Sequence, residues 1–315
     1  MKKLIYVIAI VAAAVIMTAC GGTDDAETTG NDVGTEAPEA LEAAEIKTVE
    51  DFVQIEDVIS VDKLTVESVA DVDAFRLMFR SGDEAIAADI VLPSDYADEG
   101  VHHPVMLYFP EVGYDIESLA YNYALNGVGV VRMYARGFGD SEGVRDLGGD
   151  GDLSAAKTLL RICGSAQFME GAKIFAVGSS EGSITALRLT ASDTENMIAG
   201  CAVNDVISDL PAFIKARGED IEALAVYLIG KTYEEAPEEY EKRSAVTFSD
   251  DLCSVPVLIV SYTQSQFVPL EQAEDLYESL KDKNKDCLYY EIDILMSDFS
   301  GEGLGRLLSW LNKYD

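Results

Sequence analysis

From Val105 onward the chain repeats one pattern: a compact apolar run, a break, then a segment with apolar residues at helical spacing. The runs are Val105–Phe109, Val128–Tyr134, Ile174–Val177, Ile198–Val203, Val257–Val260 and Leu288–Ile292. Between and after them come helical patterns over Ile116–Asn126, from an Asp152 cap to Cys163, and over Glu181–Thr190, Leu270–Leu280 and Leu304–Leu311. Strands that are apolar throughout must be covered on both faces. Strand–helix alternation achieves this with a parallel sheet. The predicted fold class is therefore α/β, a mostly parallel central sheet with helices on both faces. Upstream, Ala74–Arg80 and Ala85–Leu92 flank Ser81-Gly82-Asp83-Glu84 and predict a hairpin, which adds antiparallel edge strands. Residues 206–245 read as an insertion of polar amphipathic helices. No internal repeat and no second core stands out, so residues 46–315 are expected to form one domain.

The first 45 residues have a different character. Met1-Lys2-Lys3 precedes an apolar run from Leu4 to Met17, shorter than the ~20 residues that span a bilayer. A short basic start, an apolar stretch and small residues before a break describe a secretory signal over residues 1–19. Met17-Thr18-Ala19-Cys20 resembles the lipobox of bacterial lipoproteins, with Met where Leu is more usual. That resemblance implies cleavage before Cys20, acylation of its thiol, and membrane lipid as a partner at the outer face of the cell membrane. Several acyl chains would give a stable anchor. Residues 20–45 carry eight acids and no Lys or Arg, which reads as a disordered tether.

The whole chain has 57 acidic and 23 basic side chains, a formal charge of -34. Nucleic acid is excluded as a partner, because no basic excess exists to displace counterions from phosphates. Past Cys20, four cysteines remain: Cys163, Cys201, Cys253 and Cys287. An exported chain permits disulfides. Cys253 and Cys287 precede two consecutive strands and are expected within bridging range.

The strongest chemical signal is Val177-Gly178-Ser179-Ser180-Glu181-Gly182, a G-x-S-x-G sequence between a predicted strand and a predicted helix. In that setting Ser180 sits on a sharp strained turn, and the two glycines leave room for it. Its hydroxyl is expected to project above the sheet, where a helix N-terminus favours a developing oxyanion.

From about Phe75 to Leu311 the chain resembles the α/β-hydrolase superfamily, in particular the catalytic domain of prolyl oligopeptidase-family and dienelactone-hydrolase-like proteins. Beyond the elbow, Arg136-Gly137-Phe138-Gly139-Asp140-Ser141-Glu142-Gly143 is similar to the family's R-G-x-G-x-S-x-G loop. Its glycine spacing differs from a dinucleotide fingerprint, and neither a cofactor nor a metal is implied. Glu238-Glu239-Tyr240-Glu241-Lys242-Arg243-Ser244-Ala245 resembles the E-Y-x-x-R-S segment, and Val255–Ile259 with Val268-Pro269 resembles the penultimate strand and its turn. The resemblance implies a serine esterase or peptidase with Ser180 as nucleophile, and an oxyanion hole from the backbone N–H groups of Glu181 and Val112.

Two of the three triad members are missing. Ser265 stands where the family places its acid, and Ser297 where it places the histidine. The only histidines are His102 and His103, which precede the run Val105–Phe109 and so belong at the end of the sheet away from the elbow. Asp205 and Asp298 are candidates for the same rim as Ser180, but an ordinary carboxylate is a weak base toward a hydroxyl. Pro110 brings no N–H to the oxyanion loop, and Glu111 and Glu181 put negative charge beside it. The leading expectation is a degenerate hydrolase that binds a small molecule or peptide in its cleft. The alternative is a working serine hydrolase with a non-standard base. A purely structural surface protein comes third.

Overall fold

The computed structural model describes residues 47–65, 71–112, 117–295 and 301–315. The expected signal, Cys20 and the acidic tether lie outside the described residues, as do Ser297 and Asp298. Among the described residues no helix is long and apolar enough to cross a membrane.

The chain enters through three antiparallel strands: β1 (Val58–Lys63), β2 (Val72–Ser81) and β3 (Glu84–Pro93). β2 and β3 form the expected hairpin, with Ser81 opposite Glu84. The periodicity does not reveal β1, whose residues are all at least partly exposed. Its main strength is its ladder with β2.

The alternating part follows as β4 (Val105–Phe109), α1 (Glu117–Leu125), β5 (Gly129–Met133), α2 (Asp150–Gly164), β6 (Ile174–Ser179), α3 (Gly182–Ala191) and β7 (Ile198–Asn204). The insertion supplies α4 (Leu210–Arg217), α5 (Glu219–Ile229) and α6 (Pro237–Glu241). Then come β8 (Val257–Tyr262), α7 (Glu271–Leu280), β9 (Cys287–Ile292) and α8 (Gly301–Tyr314). The strands form one sheet in the order β1-β2-β3-β5-β4-β6-β7-β8-β9, parallel from β5 to β9.

Alternate residues of the central strands face opposite ways, and each face has its own core. Leu107, Ala176, Val203 and Ile259 pack with Ala156 and Leu159 of α2 and Leu276 of α7. Met106, Phe175, Ala202 and Leu258 pack instead with Tyr123 of α1 and Trp310 of α8. A smaller cluster joins Ile207, Leu210, Phe213 and Tyr240 of the insertion to Ile184 of α3 and Val268.

One local expectation is corrected. Asp152 does not cap α2, because the cap residue is Gly149 and Asp152 lies inside the first turn. There its buried carboxyl accepts the backbone N–H groups of Arg136 and Gly148, which ties two loops together. Cys253 and Cys287 are both free thiols. Cys253 ends a 3-10 turn instead of leading into β8, and its thiol donates to the carbonyl of Ser249. Cys163 and Cys201 are also free, and burial pushes both thiols up to about 12.

Candidate functional site

The sheet reverses its strand order around β4. The chain places β5 on one side of β4 and then crosses over to place β6 on the other. In open α/β sheets such a switch point leaves a crevice at the carboxyl ends of the strands. β4 ends there in Phe109, followed by Pro110, Glu111 and Val112. β6 ends in Ser179, followed by Ser180, and its other neighbour β7 ends in Asn204, followed by Asp205.

Ser180 has φ of +51°, in the left-handed region that side chains avoid. Its neighbours hold it there. The Ser180 N–H donates to the carbonyl of Asn204 at 3.1 Å, and the Ser180 carbonyl accepts the N–H of Ser183 at 3.1 Å. Ser179 beneath it is buried and fixed by Tyr108 Oη at 2.8 Å and by the Asn204 side chain. A Cβ at Gly178 would lie 2.6 Å from Ser183 Cα, and one at Gly182 would collide with the Phe109 carbonyl. Both glycines are therefore required by the packing of α3 against β6 and β4. This is a nucleophile-elbow backbone.

Its hydroxyl differs from the expectation. Ser180 is 1% exposed, and among the described residues its buried Oγ has no hydrogen-bond partner. The insertion packs on Ile184 of α3, one turn beyond the elbow.

The oxyanion side also departs from the sequence reading. The Val112 N–H donates to Glu181 Oε1 at 3.1 Å, so one of the two expected donors is already engaged by the chain itself. The same carboxylate receives Arg145 Nη2 at 2.9 and 2.8 Å. Glu181 is therefore not the bare negative charge that the sequence suggests. Arg145, 36 positions away, neutralises it, and no local pattern announces that pairing.

Two other carboxyls come from the residues that follow β4 and β7, the strands on either side of β6. Burial first, then repulsion from Glu181 and Asp205, pushes Glu111 up to about 7. Burial also pushes Asp205 up to about 6, partly offset by hydrogen bonds. Asp205 has φ of +43°, and its N–H donates to the Val260 carbonyl at 3.1 Å. Ser265 donates its hydroxyl to Asp205 Oδ2 at 2.8 Å, while its oxygen receives the N–H groups of Phe267 and Val268, both at 3.4 Å. The residue at the family's acid position thus serves an aspartate that directly follows the preceding strand.

Both histidines lie at the far end of the sheet. His103 bonds the Gly127 carbonyl and Asp95, and His102 lies against Gly171, in the loop that leads into β6. Among the described residues no group of three acids, thiols or imidazoles is placed to hold a metal ion. A small cavity opens beside the elbow, lined by Phe109, Glu111, Val112, Arg145, Glu181 and Gly182 among others. Ser180 is not part of its wall.

The comparisons with known structures agree with this architecture. A puromycin-hydrolyzing peptidase of Mycobacterium tuberculosis superposes with a TM-score of 0.62 at 20% identity, over 76% of this chain and 39% of that one. Acetyl xylan esterase 1 of a Thermoanaerobacterium species gives 0.61 at 15% identity, over 87% and 96%. An acetyl xylan esterase of a Paenibacillus species gives 0.63 at 14% identity, over 88% and 97%. The chain has the α/β-hydrolase fold. It spans well under half of the peptidase and nearly all of each esterase. No protein-family model matches the sequence, and no curated protein does.

Within the α/β-hydrolase fold, the remaining motif residues have structural partners. Arg136 of the glycine-rich loop forms a two-pronged pair with Glu84 at 2.5 Å on each side. Ser141 receives the Ala87 N–H and donates to the Tyr134 carbonyl, which fastens that loop to β3. Arg243 of the E-Y-x-x-R-S segment pairs with Glu239 and donates to the carbonyls of Asp146 and Leu147. It thereby holds the insertion to the loop that precedes α2.

Proposed function

We propose that this α/β-hydrolase domain is a non-catalytic binding protein carried on a lipid-anchored, exported chain. The observation that carries the reading is the isolation of Ser180 Oγ: it is buried, it has no hydrogen-bond partner among the described residues, and both histidines are at the opposite end of the sheet. A serine hydroxyl is weak at its free pKa and needs a positioned base to take its proton. Val112 N–H, committed to Glu181, is also withdrawn from oxyanion binding. An oxyanion hole and binding alone supply ~10³–10⁴-fold over water in enzymes stripped of their triad. Here even that contribution is reduced.

The test compares the native chain with Ser180→Ala, using a fluorophosphonate probe and p-nitrophenyl acetate. The reading expects no labelling of Ser180 and ester hydrolysis that changes less than twofold on substitution. The anchor rests on the signal-like residues 1–19 and the lipobox-like Met17–Cys20. Intact mass of the membrane fraction should show a diacylglycerol-bearing N-terminal Cys20, and an unmodified Cys20 would remove that part of the proposal.

One observation favours a second reading, an active serine hydrolase. Glu111 and Asp205 have carboxyls raised to about 7 and about 6, near the range of a useful general base. A rapid acyl-enzyme burst that disappears in Ser180→Ala decides for it.

A further inference from the structure

We infer that Asp146 and Asp152 share one proton, and that its loss releases the turn at residues 147–149, which closes one side of the cavity beside the elbow. The pair is a pH-sensitive latch on that cavity. The latch acts on the wall alone, so it goes beyond the binding reading above and holds on either reading of Ser180.

The turn lies between the glycine-rich loop and α2, and its backbone is strained. Leu147 has φ of +54° and Gly148 of +63°, so a leucine is held in the left-handed region that side chains avoid. Two carboxyls hold it there. Asp152 accepts the N–H groups of Gly148 and Arg136, both at 3.1 Å. Asp146 accepts those of Gly149 at 3.1 Å and Gly151 at 2.8 Å. The two carboxyls therefore receive consecutive N–H groups of one turn, and Asp146 also bonds the residue directly before Asp152. Both touch Arg136 as well, Asp152 at its backbone and Asp146 at Nη1, 3.4 Å away. The carbonyls of the turn are fastened by Arg188 of α3, at 2.6 Å from Gly148, and by Arg243 at Asp146 and Leu147. Arg145, Leu147, Gly148 and Asp152 all line the cavity.

Asp146 and Asp152 are also hydrogen-bonded to each other, side chain to side chain. An ionised carboxylate only accepts, so that bond exists only while one of the two carries a proton. Burial first, then the bonded Asp146, pushes Asp152 up to about 8. Burial raises Asp146 too, but the bond from Asp152, the Gly151 N–H and the charge of Arg136 outweigh it and hold Asp146 below its ordinary range. Asp152 therefore keeps the proton. The cations around the pair are already committed. Arg136 is forked on Glu84, Arg188 and Lys242 serve Asp150, and Arg243 serves Glu239. Across the cavity Arg145 serves Glu181, Arg132 lies over the Tyr134 ring, and Glu111 adds an acid. A second charge on the pair thus meets repulsion with no new counter-ion. Asp152 is 4% exposed and sits inside the first turn of α2, so it cannot turn to solvent. Asp146 is only half-buried and stands on the loop, so it is the one that moves. Its departure takes the acceptor from Gly149 and Gly151, lets Leu147 leave its strained conformation, and carries Arg145, the preceding residue, with it.

The test uses the full chain and native-state amide hydrogen exchange, read as protection relative to the intrinsic rate at each pH. Protection of the Gly148, Gly149 and Gly151 amides should fall at least tenfold between pH 6.5 and pH 9.5, while that of the β6 amides changes less than threefold. Asp152→Asn is neutral at every pH and keeps an N–H for Asp146, so its turn should change less than threefold over the same range. Glu111→Gln should show the full tenfold fall, which separates the latch from the other titrating acid of the cavity wall. In the unaltered protein the side-chain carboxyl ¹³C resonances of Asp146 and Asp152 should titrate in two separate steps, one below pH 4 and one near pH 8, so the test survives a variant that fails to fold. Two steps that both finish below pH 5 overturn the shared proton. A step near pH 8 with unchanged protection of the turn overturns the latch, and so does an equal fall in Asp152→Asn.

Discussion

Ser265 donates its hydroxyl to Asp205 across 2.8 Å, from the loop after β8 to the residue that follows β7. The bond holds down the ionisation of an aspartate that burial pushes the other way. Ser265→Ala should therefore raise Asp205 above about 6, read from its carboxyl ¹³C resonance against pH. Loss of a hydrogen bond to a charged group should also cost about 1–3 kcal/mol of stability. An unmoved Asp205 titration would mean that the bond does not form in solution.

Glu111 gives a stability signature in pH. Its folded pKa of about 7 exceeds the ordinary 4.5, so the folded state favours the protonated form. The associated stability is fully present below about pH 4.5 and is lost as pH rises through about 7. Glu111→Gln removes this loss, and its advantage over the native chain should grow from pH 5 to pH 8. Glu111 is only partly buried, so solvent screens much of the effect. A gain in Tm of about 2–4 °C at pH 8 is expected, as for ~1 kcal/mol in a domain this size. Parallel pH profiles for the two proteins would contradict it.

At the elbow, Ser180→Gly should stabilise the protein. Glycine adopts φ of +51° without the steric cost that serine bears, and the substitution deletes a buried hydroxyl that has no partner. The expected gain is about 1 kcal/mol, seen as a higher urea midpoint with an unchanged slope. A lower midpoint would show that the hydroxyl does have a bonding partner in solution.

Removing the carboxylate that holds Arg145 tests the oxyanion side. Glu181→Gln should cost about 1–3 kcal/mol, because it leaves a largely buried guanidinium without its charged partner. On the non-catalytic reading it should leave ester hydrolysis unchanged, since both imidazoles lie at the far end of the sheet. If p-nitrophenyl acetate turnover rises tenfold or more, Glu181 is the only thing holding the site inactive.

The layering of the fold was legible in the sequence because most of the parallel strands are apolar on both sides, and that pattern survives any detail of packing. β1 escaped because an edge strand with partly exposed residues such as Ile59 and Val61 depends on its partner and not on a pattern of its own. Asp152 misled because an aspartate ahead of an apolar helical stretch looks like a cap, whereas here it sits inside the helix and answers to Arg136 and Gly148. The elbow backbone could be anticipated from Gly178 and Gly182, but the burial of Ser180 is set by long-range packing that has no local signature. The pairing of Arg145 with Glu181 is likewise a property of the folded chain alone. Asp205 did carry a usable signal: it directly follows an apolar strand next in sequence to the one that ends at the elbow.

The glycines of the elbow have a consequence for how such chains are recognised. Gly178 and Gly182 are demanded by atoms of Ser183 and Phe109, none of which takes part in hydrolysis. A lineage that stops using its serine gains no freedom to discard either glycine, since the fold would fail first. The G-x-S-x-G string is thus demanded by the architecture itself, and a genome survey that counts it as a vote for hydrolase activity is counting a packing requirement.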